Sequence, residues 1–453
     1  MNIDRGRRTD TATGRGYALG FGLFLLLNAI LFLRPTEVIA SLSGVQLFEG
    51  VILSCFAVSF PAVFNQLRPQ RLKGAPITCC VLGLLVAVAF SHLSHLRPRE
   101  AFTESFSFFK IVVYYLLFVG LVNTPQRLRW FLLWLLACLA VVSALALLQY
   151  YEVIDNPTPA VIQDWSKDEA TGDAIRVSRL QAAGIFGNPN DLARMEVIGL
   201  ALAVYLFFQR RSLILAPISL ALVGLFGYTL TLTQSRGGFM ALAVTMLALV
   251  GSAVRGRKAL ILSALVLAVM FALFAGRQTD LAVDAGTGQQ RIRLWAEGLA
   301  ALKTAPLFGI GKGEYSGIGG GLGAHNAFVE SFVELGLCGG IAFLSAFYLA
   351  LRYCFRLGAA PAQMPDPNLR RVRPVLFAIG AGYAVGLMSS SRNYAMPTYT
   401  LLALACVYQR LAGVYAPRLA ARLNGQLAVR LIAISLIFLV AIYLFVRITA
   451  KWQ

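Results

Sequence analysis

Thirteen apolar runs, each near the length a helix needs to cross the hydrocarbon of a bilayer, dictate what this chain can become. They lie at about residues 17 to 33, 38 to 60, 76 to 91, 104 to 121, 128 to 151, 192 to 208, 212 to 233, 237 to 254, 258 to 275, 326 to 351, 374 to 390, 396 to 413 and 428 to 447. A hydrophobic fraction of 58% with only 13% charged residues excludes a water-soluble globular domain. The expectation is an all-α, polytopic membrane protein with about 12–13 transmembrane helices. No small-residue cleavage site follows Arg34-Pro35, so the first run reads as an uncleaved anchor.

A net charge of +19 would suggest a nucleic-acid partner if it covered a soluble domain, but here it is one-sided. With the amino terminus (Arg5, Arg7, Arg8, Arg15) inside, alternate loops carry 23 basic residues against the three acids Asp4, Asp10 and Asp366. That is the positive-inside pattern, so the excess is topological and implies no nucleic acid. The same alternation places residues 152–191 and 276–325 outside the membrane. It divides the chain into amino-terminal helices (1–151), a core with both outer loops (152–351) and carboxy-terminal helices (352–453). The large 276–325 loop is expected to contain short helices. All seven cysteines fall in or at the ends of apolar runs, which argues against a disulfide framework.

Polar clusters recur at successive outer helix ends: Gly187-Asn188-Pro189-Asn190-Asp191, Thr233-Gln234-Ser235-Arg236-Gly237-Gly238, the 276–325 loop, and Ser389-Ser390-Ser391-Arg392-Asn393. Sharing one face, they are expected to converge on a single cavity. The long loop carries Arg277, Arg291, Arg293, Lys303 and Lys312 and ends on His325-Asn326. Cations beside an imidazole of pKa about 6.5 can hold a phosphorylated substrate next to a proton acceptor. Against this, His325 could simply cap a helix, Arg293 and Lys303 could snorkel to head groups, and Asn188 reads as a helix cap. Arg236 interrupts two apolar runs with almost no loop, a position where charge is usually retained for a partner. Glu330 and Glu334, one turn apart, could orient His325 or nearby arginines, and Arg194 and Glu196 could line the cavity or pair locally. Lys110 reads as a snorkelling cation. His92 and His95 have metal-like spacing but no third ligand nearby, and neither an Asp-x-Asp pair nor a phosphate-binding loop is present. No metal or cofactor is therefore expected, and ATP and nucleotide sugars are poor substrate candidates.

In order along the chain, Phe186-Gly187-Asn188-Pro189-Asn190, Leu232-Thr233-Gln234-Ser235-Arg236-Gly237, Arg291-Ile292-Arg293-Leu294-Trp295, Pro306 to Gly313, His325-Asn326 and Glu334-Leu335-Gly336 resemble the O-antigen ligase and O-antigen polymerase superfamily of bacterial membrane glycan transferases. The resemblance covers residues 186 to about 340, and the thirteenth run departs from the twelve-helix pattern of such ligases. It implies a metal-independent membrane glycosyltransferase of the bacterial inner membrane, with its active site facing the periplasm. A glycan would move from an undecaprenyl-diphosphate-linked donor to a hydroxyl of a glycan or lipid-anchored glycan acceptor, as in lipopolysaccharide or polysaccharide biosynthesis. In that reading His325 is the general base and Arg236, Arg291 and Arg293 hold the diphosphate, with Asn326, Glu330, Glu334 and Arg194 in support. A polymerase of the same superfamily is the alternative. A flippase of lipid-linked glycans would need internal repeats and broken helices.

Overall fold

Prolines and capping side chains set the helix boundaries. Proline lacks an N–H and fits the first helical turn, where that donor would be unpaired anyway. It opens α2 (Pro35–Val38), α4 (Pro69–Lys73), α5 (Pro76–Leu93), α6 (Pro98–Leu121), α7 (Pro125–Tyr150), α8 (Pro189–Phe207) and α15 (Pro367–Leu387), and Pro397 does the same at the second position of α16 (Met396–Gly413). Side-chain caps reinforce several starts. Thr124 accepts from the Arg127 N–H at 3.2 Å, and Ser235 accepts from Gly238 at 3.0 Å to open α10 (Arg236–Ala253). Asn424 accepts from Leu427 at 2.8 Å to open α17 (Gly425–Thr449). The remaining helices are α1 (Thr11–Leu33), α3 (Leu47–Gln66), α9 (Leu215–Thr233), α11 (Arg257–Leu273), α12 (Thr287–Thr304), α13 (Tyr315–Ile318) and α14 (Ala327–Leu357).

The computed structural model describes residues 11–154, 160–167, 174–208, 215–254, 256–273, 287–357, 364–417, 419 and 422–450. Arg5, Arg7, Arg8, Arg210, Arg211, Arg255 and Arg418, which are among the 23 basic residues of the charge argument, and Arg277 of the long loop lie outside the described residues. A helix occupies each of the thirteen apolar runs, and the protein is a polytopic helical membrane protein. Nine helices among the described residues are long and apolar enough to cross a membrane. Of the other four, α8 carries Asp191, Arg194 and Glu196, α15 carries Arg370, Arg371 and Arg373, α16 carries Gln409 and Arg410, and α11 is only 17 residues long.

Three local features depart from the sequence expectation. The second run was placed at 38–60, but α3 starts at Leu47, after α2 and a short 3-10 turn, and continues through Pro61 to Gln66. The 152–191 loop contains an antiparallel hairpin, β1 (Val161–Lys167) with β2 (Ala174–Leu180), so the fold is not purely helical. Finally, α14 is broken at Gly336, whose φ of 64° and ψ of −164° lie outside helical space.

The core is built where α10 packs on α15, α8 on α9, and α14 on α5. Several polar groups inside it are paired, as apolar surroundings favour: Tyr114 donates to Asn28 Oδ1 at 2.7 Å, and Ser143 donates to Glu196 at 2.9 Å. The break in α14 is satisfied in the same way. The 306–311 segment lies alongside it, with the N–H groups of Ile310 and Gly311 donating to the carbonyls of Val333 and Glu334 at 3.1 and 3.0 Å. In return, Leu337 and Cys338 donate to the carbonyls of Pro306 and Leu307 at 2.8 and 3.2 Å. The two backbones approach so closely at Gly309 (φ 73°) and Gly336 that a Cβ on either would strike the main chain of the other segment.

Candidate active site

Asn190 is the first node of the site. Its Oδ1 accepts from Arg179 Nη2 at 2.9 Å and from Ser235 Oγ at 2.7 Å, tying the hairpin and the start of α8 to the start of α10. Ser235 caps α10, so the cap places Arg236 at the first helical position, half-buried at the helix end. Asp191 is the second node, bridging Arg194 of its own helix and Arg392 of the turn between α15 and α16. Arg194 also donates to Ser390 of that turn and lies over the Tyr383 ring, 5.6 Å from its centroid. Burial works against the Arg392 charge, but the Asp191 carboxylate outweighs it and raises the Arg392 pKa above its ordinary value.

Ser391 extends the network to α14. Its hydroxyl oxygen accepts the His325 main-chain N–H at 3.0 Å, while its own proton goes to Glu330 Oε2. Next to it, Asn393 donates to Ser331 Oγ at 3.2 Å. His325 sits in left-handed backbone (φ 49°), a conformation that a non-glycine residue holds only when its surroundings fix it. Those surroundings include Ala324, whose carbonyl accepts from Trp295 Nε1 at 2.7 Å and whose N–H donates to Glu330 at 3.3 Å. Trp295 thereby attaches α12 to the residue before His325. Arg291 lies one turn earlier on the same face of α12.

The electrostatics bring three predicted residues together. The His325 pKa is lowered by burial and then by the positive charge of Arg291. That of Arg291 is lowered by burial and by Arg236, although a guanidinium stays protonated at any physiological pH. Two cations and a neutral-leaning imidazole thus share one region. Arg293 is half-buried on the same helix, whereas Arg194 is fully buried and held by Asp191.

The supporting residues divide by role. Asn326 caps α14, its Oδ1 accepting from Phe328 and Val329 at 3.1 and 3.3 Å, while its buried Nδ2 finds no partner among the described residues. Glu330 accepts from Ser391 and from the Ala324 N–H and so acts on the chain next to His325, whereas Glu334 accepts from the Tyr315 N–H at the start of α13. His92 and His95 grip the glycine turn: their Nε2–H groups donate to the carbonyls of Lys312 and Gly309 at 3.2 and 2.8 Å. Lys312 pairs with Glu104.

Sequence reasoning missed Arg392, Asp191 as an ion-pair partner, and Arg179. The first two stood inside polar clusters that were already recognised, and the logic applied to Arg236, a charge at a helix end with almost no loop, would have found Arg392. The four polar clusters meet at one end of the helices through their hydrogen bonds and ion pairs. A cavity of about 410 Å³ opens on the Arg392 and Tyr394 side of this assembly. Among the described residues only two of the clusters line it, through Asp191 and Arg392, so the single shared cavity expected from the sequence is not formed.

These features define a helical membrane protein with a polar, mostly cationic assembly at one end of the bundle. Residues 220–344 match the family model described as O-antigen ligase, so this stretch of the chain is similar to that family. The matched region contains Arg236, Arg291, Arg293, His325, Asn326, Glu330 and Glu334, while Arg194 and the Asn188-Pro189-Asn190 cluster precede it. Among curated proteins, none matches the chain.

Proposed function

We propose that the protein transfers a glycan from an undecaprenyl-diphosphate-linked donor to an acceptor hydroxyl on the outer face of the bacterial inner membrane, as an O-antigen ligase does. The observation that carries this reading is the grouping, within the stretch similar to the O-antigen ligase family, of a neutral-leaning His325 with the guanidiniums of Arg291 and Arg236. An imidazole nitrogen takes the acceptor hydroxyl proton as the acceptor oxygen attacks the anomeric carbon. The bond from that carbon to the diphosphate oxygen breaks, and undecaprenyl diphosphate departs with the bonding electrons. Arg236 and Arg291, assisted by Arg293, neutralise the diphosphate, so neither a metal nor a general acid is needed. With no covalent enzyme intermediate, the anomeric centre inverts.

Ser391, Glu330 and Trp295 hold the chain at and just before His325, which supports a positioned base. A flippase is less well supported. Helix α14 is broken, but the carbonyls of Val333 and Glu334 and the N–H groups of Leu337 and Cys338 on either side of Gly336 are bonded to residues 306–311.

The test is reconstitution: purified protein in proteoliposomes with an undecaprenyl-diphosphate-linked glycan and a lipid-anchored glycan acceptor. The expected product is the joined glycolipid, formed equally well in EDTA. A strain lacking the chain should accumulate long glycan on the lipid carrier. Single repeat units transferred to acceptor in that strain would instead assign a polymerase, leaving the site chemistry unchanged.

A further inference from the structure

The 410 Å³ cavity lies across the 390–395 turn from His325, with Arg392 and Tyr394 in its wall. Leu31, Phe48, Ile111 and Met195 contribute apolar lining, and the charged groups on the lining are Arg34, Lys110, Arg194, Arg392, Glu49 and Asp191. Four cations against two carboxylates leave the lining positive. Asp191 is engaged by Arg194 and Arg392, and the Lys110 ammonium meets Glu49 only at 3.8 Å.

Arg34 is placed by the fold. It stands in left-handed backbone (φ 47°) between α1 and α2, and its aliphatic stem crosses Gly184 so closely that a Cβ there would collide with it. Gly184 has a φ of 69° as well, so glycine is needed there twice over. The partner of Arg34, Glu37 at 3.5 Å, is a partly exposed pair of small worth, and the buried Arg34 Nε has no partner among the described residues. A cation held by backbone geometry, with donors unspent and a second cation across a void, is arranged for an anion.

We propose that this cavity is an acceptor-side anion subsite, separate from the Arg236 and Arg291 region. It takes an ionised phosphate or carboxylate of an amphiphilic acceptor, with the hydrocarbon against Leu31, Phe48 and Ile111. The inference rests on the transferase reading for the word acceptor; the binding itself does not. It makes the acceptor a charged, lipid-anchored molecule instead of a neutral chain end.

Native mass spectrometry of the full-length protein tests it without turnover, using dioleoyl phosphatidic acid as the phosphate probe, dioleoylglycerol as its uncharged counterpart and undecaprenyl diphosphate as the donor head. Retention of phosphatidic acid over dioleoylglycerol, in excess phosphatidylglycerol, should fall at least about tenfold in Arg34→Gln/Lys110→Gln and stay unchanged in Arg236→Gln/Arg291→Gln. Undecaprenyl diphosphate should show the reverse. Lys110→Gln alone, at a half-exposed position, should give an intermediate loss and guards against misfolding of the double variant. Equal retention in all variants would mean annular lipid only and would overturn the subsite. Loss of undecaprenyl diphosphate in the Arg34/Lys110 pair would make the cavity the donor site and overturn the acceptor assignment. If binding behaves as expected but no transfer occurs in proteoliposomes, the transferase reading fails while the anion site stands.

Discussion

The main-chain N–H of His325 donates to Ser391 Oγ at 3.0 Å, and the same hydroxyl donates onward to Glu330. The turn between α15 and α16 thereby fixes a left-handed residue 66 positions earlier in the chain. Ser391→Ala removes both bonds and leaves a buried carboxylate short of a donor. Steady-state kinetics should show kcat down by about 10- to 100-fold with the donor KM little changed, because the loss is one of positioning. Ser391→Thr, which keeps the hydroxyl, should retain most of the rate.

The pH profile follows from the depressed His325 pKa. A lowered value means that the imidazole stays neutral, and able to accept a proton, to lower pH than an ordinary histidine. The acid limb of kcat/KM should therefore fall below about pH 6.5. Arg291→Gln removes a nearby positive charge that disfavours the imidazolium, so the limb should move upward in pH. Burial, the larger cause, remains and keeps the limb under the ordinary histidine value. A limb that moves down in Arg291→Gln would contradict the assigned neighbours.

Arg236 and Arg291 are assigned to the diphosphate as planar forks, a geometry lysine lacks. Arg236→Lys and Arg291→Lys should each raise the donor KM or lower kcat by about tenfold despite the retained charge, and the corresponding glutamine variants by more. Initial rates against donor concentration measure this. Lysine variants with wild-type kinetics would show that only charge is read.

The stitched break in α14 gives a stability prediction. Gly309→Ala and Gly336→Ala each place a Cβ into facing main chain at positive φ, so each should cost on the order of 3 kcal/mol or more. Thermal unfolding in detergent, followed by size-exclusion recovery, should show the loss. Gly313→Ala, where a Cβ meets nothing within 4 Å but φ is also positive (85°), should cost less.

The outer-loop orientation is open to direct labelling. With the native cysteines replaced, Ser316→Cys, exposed just after the start of α13, should react with a membrane-impermeant maleimide in cells whose outer membrane alone is opened. Reaction only after the inner membrane is opened would reverse the orientation.

Much of this architecture is legible along the chain. Apolar runs and the Asn188 cap are local signals, each read within a few residues, and the first-turn prolines and the Ser235 cap that the structure shows are equally local. The convergence of four polar clusters was likewise visible, since alternation assigns helix ends to faces. What stayed hidden depends on pairing across long sequence separations. The 306–311 segment joins the α14 break through main-chain groups, which carry no side-chain signature. The roles of His92 and His95 depend on carbonyls more than 200 residues away. The hairpin at 161–180 was hidden for another reason: only weak alternation marks its strands. Lys110 read as a snorkelling cation until Glu49 and the cavity stood beside it.

The central claim is that His325 removes the acceptor proton. Transfer by purified His325→Ala in proteoliposomes, at matched protein and donor concentrations and with insertion verified, measures it most directly. The account predicts a rate about 10² to 10⁴ below wild type, with donor binding retained. Turnover at the wild-type rate by a correctly inserted His325→Ala protein would contradict it.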